Sequence, residues 1–385
     1  MDLSLSDDQR LLADSAARFV ANEYGLDRRR ALVADEPGFS RDHWRTFAEL
    51  GWLALPFAEA DGGLGAGAAE VMVVMEQFGR GLVVEPYLAA VLLAGQAIAH
   101  AGTAAQRRAL LAELIAGRAQ YAFAHGEAGA RYAAGHVATR AQADGGGWLL
   151  SGHKAVVYNA PAADASVVSA RSAGDARDAH GVSLFVVAKD AAGLGVRPYR
   201  TIDGLRAGEV VLDGVRVGAD ALLGEAGAAL PAIEEVVDRA TAAVCAEAVG
   251  IMDTLREMTL DYLKTRQQFG RPIGAFQALQ HRAVDMLIAC EEARSLTVMA
   301  TLSLEAPPVE RARAVSAAKV GVGRSARLVG QEAVQMHGGM GMTEELAVGH
   351  YFKRLVMIDR LFGDVDHHLD RFAALAPEAA EGGRT

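Results

Sequence analysis

Two segments of this chain carry residues suited to gripping phosphate: Tyr262 to Gln280, reading YLKTRQQFGRPIGAFQALQ, and Gln335 to Met342, reading QMHGGMGM. Arg266 offers a planar fork of N–H donors that matches phosphate oxygens two at a time. Gly338 and Gly339 let the backbone approach a ligand closely and adopt positive φ, and Gln335 can hydrogen-bond a phosphate or a ribose. Both segments sit at the ends of helical stretches, and together they point to the diphosphate of a dinucleotide. Each has a plainer reading on its own: Arg266 can cap a long helix, Phe269 can be core, and the glycines can stop a helix. Three glycines, Gly338, Gly339 and Gly341, exceed what a stop requires.

Composition narrows the possible partners. The chain has 385 residues, 51% of them apolar and 22% charged, enough to bury a large core in two or three packed units. A net charge of -10 argues against nucleic acid or an anionic membrane surface as a partner, since both need a cationic face. Any polyanionic ligand must therefore be held by local groups. Cys245 and Cys290 lack metal-ligand spacing and read as buried thiols in a reducing compartment. The N-terminus has no basic flank leading into an apolar run, and no stretch of about 18 residues is free of polar groups. The expectation is a soluble cytoplasmic protein.

The elements that must position these residues change period twice. A capping box at Ser6, with Asp7, Asp8 and Gln9, opens a helix carrying Leu12, Ala16, Phe19 and Val20 on one face. Further helices are predicted around His43–Leu50, Ala68–Gly79, Pro86–His100 and Ala104–Ala116. From about Gln120 to Val217 short β-prone runs alternate with glycine and aspartate turns. Helical periodicity returns after Leu230, with Val237, Val244, Ile251, Leu255, Met258 and Tyr262 on one face. A second long helix carries Phe276, Met286 and Cys290, and a third runs from about Arg311 to Val334. The predicted layout is a helical domain over 1–118, a β domain over 119–225, a helical bundle over 226–376 and a frayed tail over 377–385.

This α–β–α order, with R-x-x-F-G-x-P-I-x-x-F-Q followed by Q-x-H-G-G-x-G, resembles the acyl-CoA dehydrogenase family over nearly the whole length. GMGMTEELAVGHYFKRL and LFGDVDHHLDRFA are similar to its bacterial heteromeric branch, which includes chains like the small subunit of pimeloyl-CoA dehydrogenase. The resemblance implies an α+β multidomain fold: an all-α N-terminal domain, a central β-barrel or sandwich and a C-terminal four-helix bundle. It implies FAD as cofactor and a homo-oligomer or a paralogous partner subunit, because Arg266 and Phe269 match residues that reach a neighbouring subunit's cofactor. Gln268, Phe276 and Gln277 match the same cofactor surface, and His337 matches a position that packs against the cofactor rather than an acid–base one. SGHKAVVYNA matches the strand that flanks the flavin, with Val156 and Tyr158 where the family commonly has Trp and Thr. The implied reaction is α,β-dehydrogenation of an acyl-CoA, with electrons leaving to an electron-transfer flavoprotein. A flavin monooxygenase or oxidase on the same scaffold and a non-catalytic subunit of a heteromer are the alternatives.

The reaction needs a carboxylate to take the α proton. Matched onto the family without gaps, the usual catalytic glutamate falls at Phe362, and an alternative helix position used by some relatives falls at Ala240. Neither side chain accepts a proton. Asp364 is the first substitute, with Asp366 near it; Glu247, about two helical turns beyond Ala240, is the second. A partner chain carrying the base is the third possibility. Thr241 stands where a CoA-contacting arginine is often found, which leaves CoA recognition to Arg239. His367 and His368 are adjacent and point apart on a helix, so no metal site is expected.

Overall fold

The computed structural model describes residues 5–375; the tail expected over 377–385 lies outside them. The opening helix follows its sequence: Ser6 Oγ accepts from the Gln9 amide at 3.2 Å and Gln9 Oε1 accepts from the Ser6 amide at 3.0 Å, starting α1 (Asp7–Glu23). Helices α2 (Leu26–Ala34), α3 (Arg41–Glu49) and α4 (Ala68–Gly81) follow. Where one helix was expected over Pro86–His100, the chain forms a π-helical segment, Leu88–Gly95, and then α5 (Gln96–Ala101). Residues Ala89 to Gly95 are all buried, so no polar face distinguishes a wide spiral from an ordinary one. Helix α6 (Ala104–Ile115) closes the helical region.

The β-prone runs form one eight-stranded sheet: β1 (Tyr121–Ala124), β2 (Arg140–Asp144), β3 (Gly147–Tyr158), β4 (Ala165–Arg171), β5 (Val182–Ala188), β6 (Leu194–Arg200), β7 (Arg206–Gly218) and β8 (Leu222–Leu223). The order is β6-β7-β3-β2-β4-β5-β8, with β1 parallel to β4 and most other pairs antiparallel. Alternate residues such as Leu150, Val168, Phe185, Val210 and Leu212 fill its core. The register of β3 against β7 shifts between Lys154 and Val157, a bulge that leaves Val156 at φ +53 and 49% exposed.

Two buried cations hold the irregular backbone beside this sheet. Lys154 is fully buried and donates to Glu127 Oε1 at 2.6 Å, to Ser169 Oγ at 3.0 Å and to the His125 carbonyl at 3.3 Å. Glu127 also accepts from the amides of Ala138 (2.7 Å) and Thr139 (3.0 Å), which closes the loop between β1 and β2, while Lys154 ties it to β3. Burial works against ionisation of Glu127, but Lys154 and the Thr139 donors outweigh it and hold the carboxyl down to about 2. Arg171, 1% exposed, donates to the carbonyls of Gly135 (2.8 Å), Val137 (3.1 Å), Ala176 (3.2 Å) and His180 (2.8 Å).

Helix α7 (Leu230–Thr265), a short hairpin of β9 (Gln267–Gln268) and β10 (Arg271–Pro272), α8 (Gln277–Leu302), α9 (Pro308–His337), α10 (Ala347–Arg360) and α11 (Val365–Ala374) complete the chain. By compactness the described residues form two units. One comprises the chain up to Val74 and Val83–Ala240; the other comprises Met75–Leu82 and the chain from Thr241 on. In the second, α9 packs against α8, α10 and α11. The end of α4 belongs here because it crosses α7 at glycine: a Cβ on Gly79 would strike the Glu247 carbonyl, and one on Gly250 the Glu76 carbonyl. Ion pairs brace the crossing, with Arg294 reaching Glu76 at 2.8 Å and also Asp253, and Arg80 reaching Glu257 at 3.3 Å. Cys245 and Cys290 are buried, and burial pushes both thiols up to about 12, which leaves them unreactive at neutral pH. Among the described residues no helix is long and apolar enough to cross a membrane.

Breaking one side of the β-unit ion pair tests its weight. Lys154→Met strands the Glu127 carboxylate and is expected to lower unfolding free energy by about 3 to 5 kcal/mol in urea titration. The double change Lys154→Met with Glu127→Gln should recover a large part of that loss.

Candidate functional site

Helix α7 stops where the first phosphate-suited segment begins. The Arg266 amide donates to the Tyr262 carbonyl at 2.8 Å, and the Ile273 amide donates to the Arg266 carbonyl at 2.8 Å, folding the chain into the hairpin. Gln268 pairs with Arg271 across a two-residue turn in which Phe269 (φ +54) and Gly270 (φ +76) are both left-handed. This is the twist-matched turn that favours glycine or asparagine. Phe269 occupies it regardless and is 90% exposed. The chain thus holds a large ring out to water on strained backbone. Phe276 lies edge-on to Phe269 at 6.0 Å, with the Arg271 guanidinium 4.2 Å above its ring. Arg266, Gln268 and Gln277 are exposed on the same stretch, and among the described residues no ion pair occupies Arg266.

The second segment ends α9. Gly338 adopts φ +61 and ψ -140, a conformation open essentially to glycine, and its amide donates to the Gln335 carbonyl. A Cβ on Gly338 or Gly339 would meet nothing within 4 Å, so the backbone faces open space there, and Gln335 is exposed beside it. The expected positive φ is found at Gly338 and not at Gly339. Gly341 serves packing instead: its Cβ would lie 2.7 Å from the Val334 carbonyl.

His337 brings the two segments together. It is 4% exposed and stacks on Tyr262 with ring centroids 4.5 Å apart at 29°. Its Nδ1–H donates to the Ala333 carbonyl at 2.8 Å, and burial lowers its pKa, so the ring is neutral. The stack contributes on the order of 1 kcal/mol beyond the area it buries. Tyr158, in the other unit, is the last residue of β3, half-buried and in register with Ala207.

The carboxylates expected to act as base are occupied with other work. Asp364 is the N-cap of α11: one oxygen accepts from the His367 amide at 3.1 Å and the other lies 2.9 Å from Arg360. The His367 amide, with help from Arg360, holds this carboxyl below its ordinary range, the wrong direction for a base. Glu247 is buried, with Arg354 donating to both its oxygens at 2.6 and 2.8 Å. In the structure one is a helix cap and the other is half of a buried ion pair. Arg239 is tied to Glu235 at 2.9 Å. Asp364 and Asp366 line a cavity of about 580 Å³ whose wall also carries Arg324, Arg327 and Arg360.

Phe362 sits in a rigid turn. It has φ +60, and Gly363 after it has φ +125, where a Cβ would lie 2.7 Å from His368 Nε2. Lys319, 1% exposed, donates to the carbonyls of Asp359 (3.1 Å), Leu361 (3.0 Å) and Gly363 (2.5 Å). Neither this lysine nor Arg354 stood out in the sequence. The one available signal was a cation on an otherwise apolar helical face. His367 and His368 meet edge to face at 5.1 Å, and no group of three or more potential metal ligands occurs among the described residues.

Three family models cover nearly all of the chain: the acyl-CoA dehydrogenase N-terminal domain over residues 6–118, the middle domain over 122–215 and the C-terminal domain over 230–374. The chain belongs to the acyl-CoA dehydrogenase family. The acyl-CoA dehydrogenase FadE12 of Mycobacterium tuberculosis is 31% identical, covering 89% of each chain. The ChsE4–ChsE5 complex of the same organism contains a chain that superposes with a TM-score of 0.87 at 26% identity, over 97% of this chain and 98% of that one. Butyryl-CoA dehydrogenase of Megasphaera elsdenii gives a TM-score of 0.88 at 25% identity, over 97% and 99%. As in the family, helical, β and helical segments follow one another, and the C-terminal match takes in both phosphate-suited segments and the Phe362 turn.

Three substitutions probe these assignments in this acyl-CoA dehydrogenase homologue. Asp364→Ala removes a cap and should cost about 1 kcal/mol of stability; Glu247→Gln leaves the Arg354 charge buried and should cost about 3 kcal/mol or more, both read by urea denaturation. His368, buried beside Lys319, is pushed down to about 3, chiefly by burial. A histidine lowered in the fold contributes stability that is complete above the unfolded pKa of about 6.5 and is lost as pH falls toward 3. His368→Asn should reduce the slope of stability against pH in that window by about 1.4 kcal/mol per unit.

Proposed function

We propose that this chain is the FAD-gripping subunit of an acyl-CoA dehydrogenase whose proton-abstracting carboxylate comes from a related partner chain. The observation that carries the reading is the fate of the acidic groups: Phe362 occupies the turn where the resemblance places the base, Asp364 caps a helix and Glu247 is neutralised by Arg354.

The residues present suit FAD. Its diphosphate needs donors that an acidic protein must concentrate locally, and Arg266, Gln335 and the open backbone at Gly338 and Gly339 are such donors. The exposed ring of Phe269, with Phe276 behind it, offers an apolar contact. Gln268 and Gln277 can pair with ribose or adenine edges. Tyr158 and Val156, on the strand held by Lys154 and Glu127, belong to the face the resemblance assigns to the flavin ring. His337, neutral and stacked on Tyr262, serves packing and takes no proton. Bound FAD would supply the acceptor for the hydride leaving the substrate's β carbon. An electron-transfer flavoprotein is the acceptor class that completes the cycle. The similar mycobacterial chain belongs to a complex, ChsE4–ChsE5, which supports a heteromeric assembly here.

Purification separates the parts of this proposal. The chain should be obtained yellow, as an oligomer. Acyl-CoA added anaerobically should leave its absorbance unchanged for the chain alone and bleach it once a sister chain bearing the missing glutamate is co-expressed. Rapid bleaching by acyl-CoA without any partner would place the base in this chain and defeat the subunit reading; a colourless protein that ignores added FAD would defeat the cofactor reading.

A further inference from the structure

The Tyr262–His337 stack is more than core packing. Tyr262 lies one helical turn before Arg266, and its carbonyl receives the Arg266 amide that ends α7. His337 is the last residue of α9, directly before the glycines that face open space. The two rings thus join the ends of two helices, each immediately followed by one of the phosphate-suited segments, and they are in contact at 4.5 Å. The imidazole orientation is fixed independently by the Nδ1–H bond to Ala333, the carbonyl of the preceding turn. The aromatic contact therefore couples the helix end before the Arg266 hairpin to the helix end before Gly338–Gly339.

We infer that Tyr262 and His337 are positioning residues which, by stacking, hold the Arg266 hairpin and the Gly338–Gly339 turn at the spacing needed to grip one diphosphate together. This rests on the FAD reading above. Both act through the segments that follow them, and His337 acts as an aromatic plate with no proton to transfer.

The test is FAD affinity of the full-length oligomer stripped of flavin and titrated back, read by quenching of FAD fluorescence, with the thermal midpoint of the apoprotein measured alongside. His337→Ala and Tyr262→Leu should each weaken FAD binding roughly 3- to 10-fold, the range an aromatic pair supplies. His337→Phe and Tyr262→Phe, which keep a ring, should stay within about 2-fold of the parent. Arg266→Ala should weaken binding in the parent but add little in the His337→Ala background, since a misplaced arginine has less to lose. A purely structural role would lower the thermal midpoint and leave the two effects additive. Parent-like FAD affinity in a folded His337→Ala, affinity lost equally in His337→Phe, or additive Arg266 and His337 effects would each overturn the inference. If His337→Ala does not fold, Tyr262→Leu against Tyr262→Phe decides by the same comparison. Failure of the parent itself to take up FAD would instead defeat the cofactor proposal.

Discussion

A charge removed from water must be met inside the protein, and this fold uses that requirement to pin its irregular backbone. Lys154 ties the loop after β1 to the strand that carries Val156 and Tyr158. Arg171 gathers four carbonyls, two from the loop before β2 and two from the segment after β4. Lys319 gathers three from the turn between α10 and α11, and Arg354 fixes Glu247 across the bundle. Each ion faces a full set of partners. Lys154, Arg171 and Lys319 thereby add fixed points to backbone outside the helices and strands.

That arrangement bears directly on chemistry. A carboxylate is useful as a base when its proton affinity is high, and affinity falls when cations or amide donors surround it. Asp364 has been drawn into capping a helix, where low proton affinity is an advantage, and Glu247 into an ion pair with Arg354. The phosphate-suited groups show the opposite pattern: Arg266, Gln335 and the glycine backbone are left open at helix ends, while Phe269 is held outward in a costly conformation. The groups suited to a cofactor are open, while Asp364 and Glu247 already have partners within the chain.

Much of this was legible in the sequence wherever the determinant was local. The Ser6 capping box, the end of α7 before Arg266 and the glycine stop after His337 each follow from residues within one turn of one another. The β segments were visible through their alternation and turns. Choosing among the carboxylates was a different problem, because Arg354 stands 107 residues from Glu247 and nothing near either announces the pair. The π-helical segment was hidden for a physical reason too: a run buried on every side has no polar stripe whose spacing could betray its pitch. Gly338 and Gly341 look alike in the motif, but one faces a void and the other a neighbouring carbonyl, a distinction only three dimensions supply.

The turn at Phe362 carries one more implication. Its course is dictated by main-chain oxygens converging on Lys319 and by the absence of a side chain at Gly363, so the residue displayed between them contributes little to holding it. A socket of that kind tolerates exchange of its insert. Swapping the side chain at position 362 can therefore alter what the turn presents while the architecture around it stays in place.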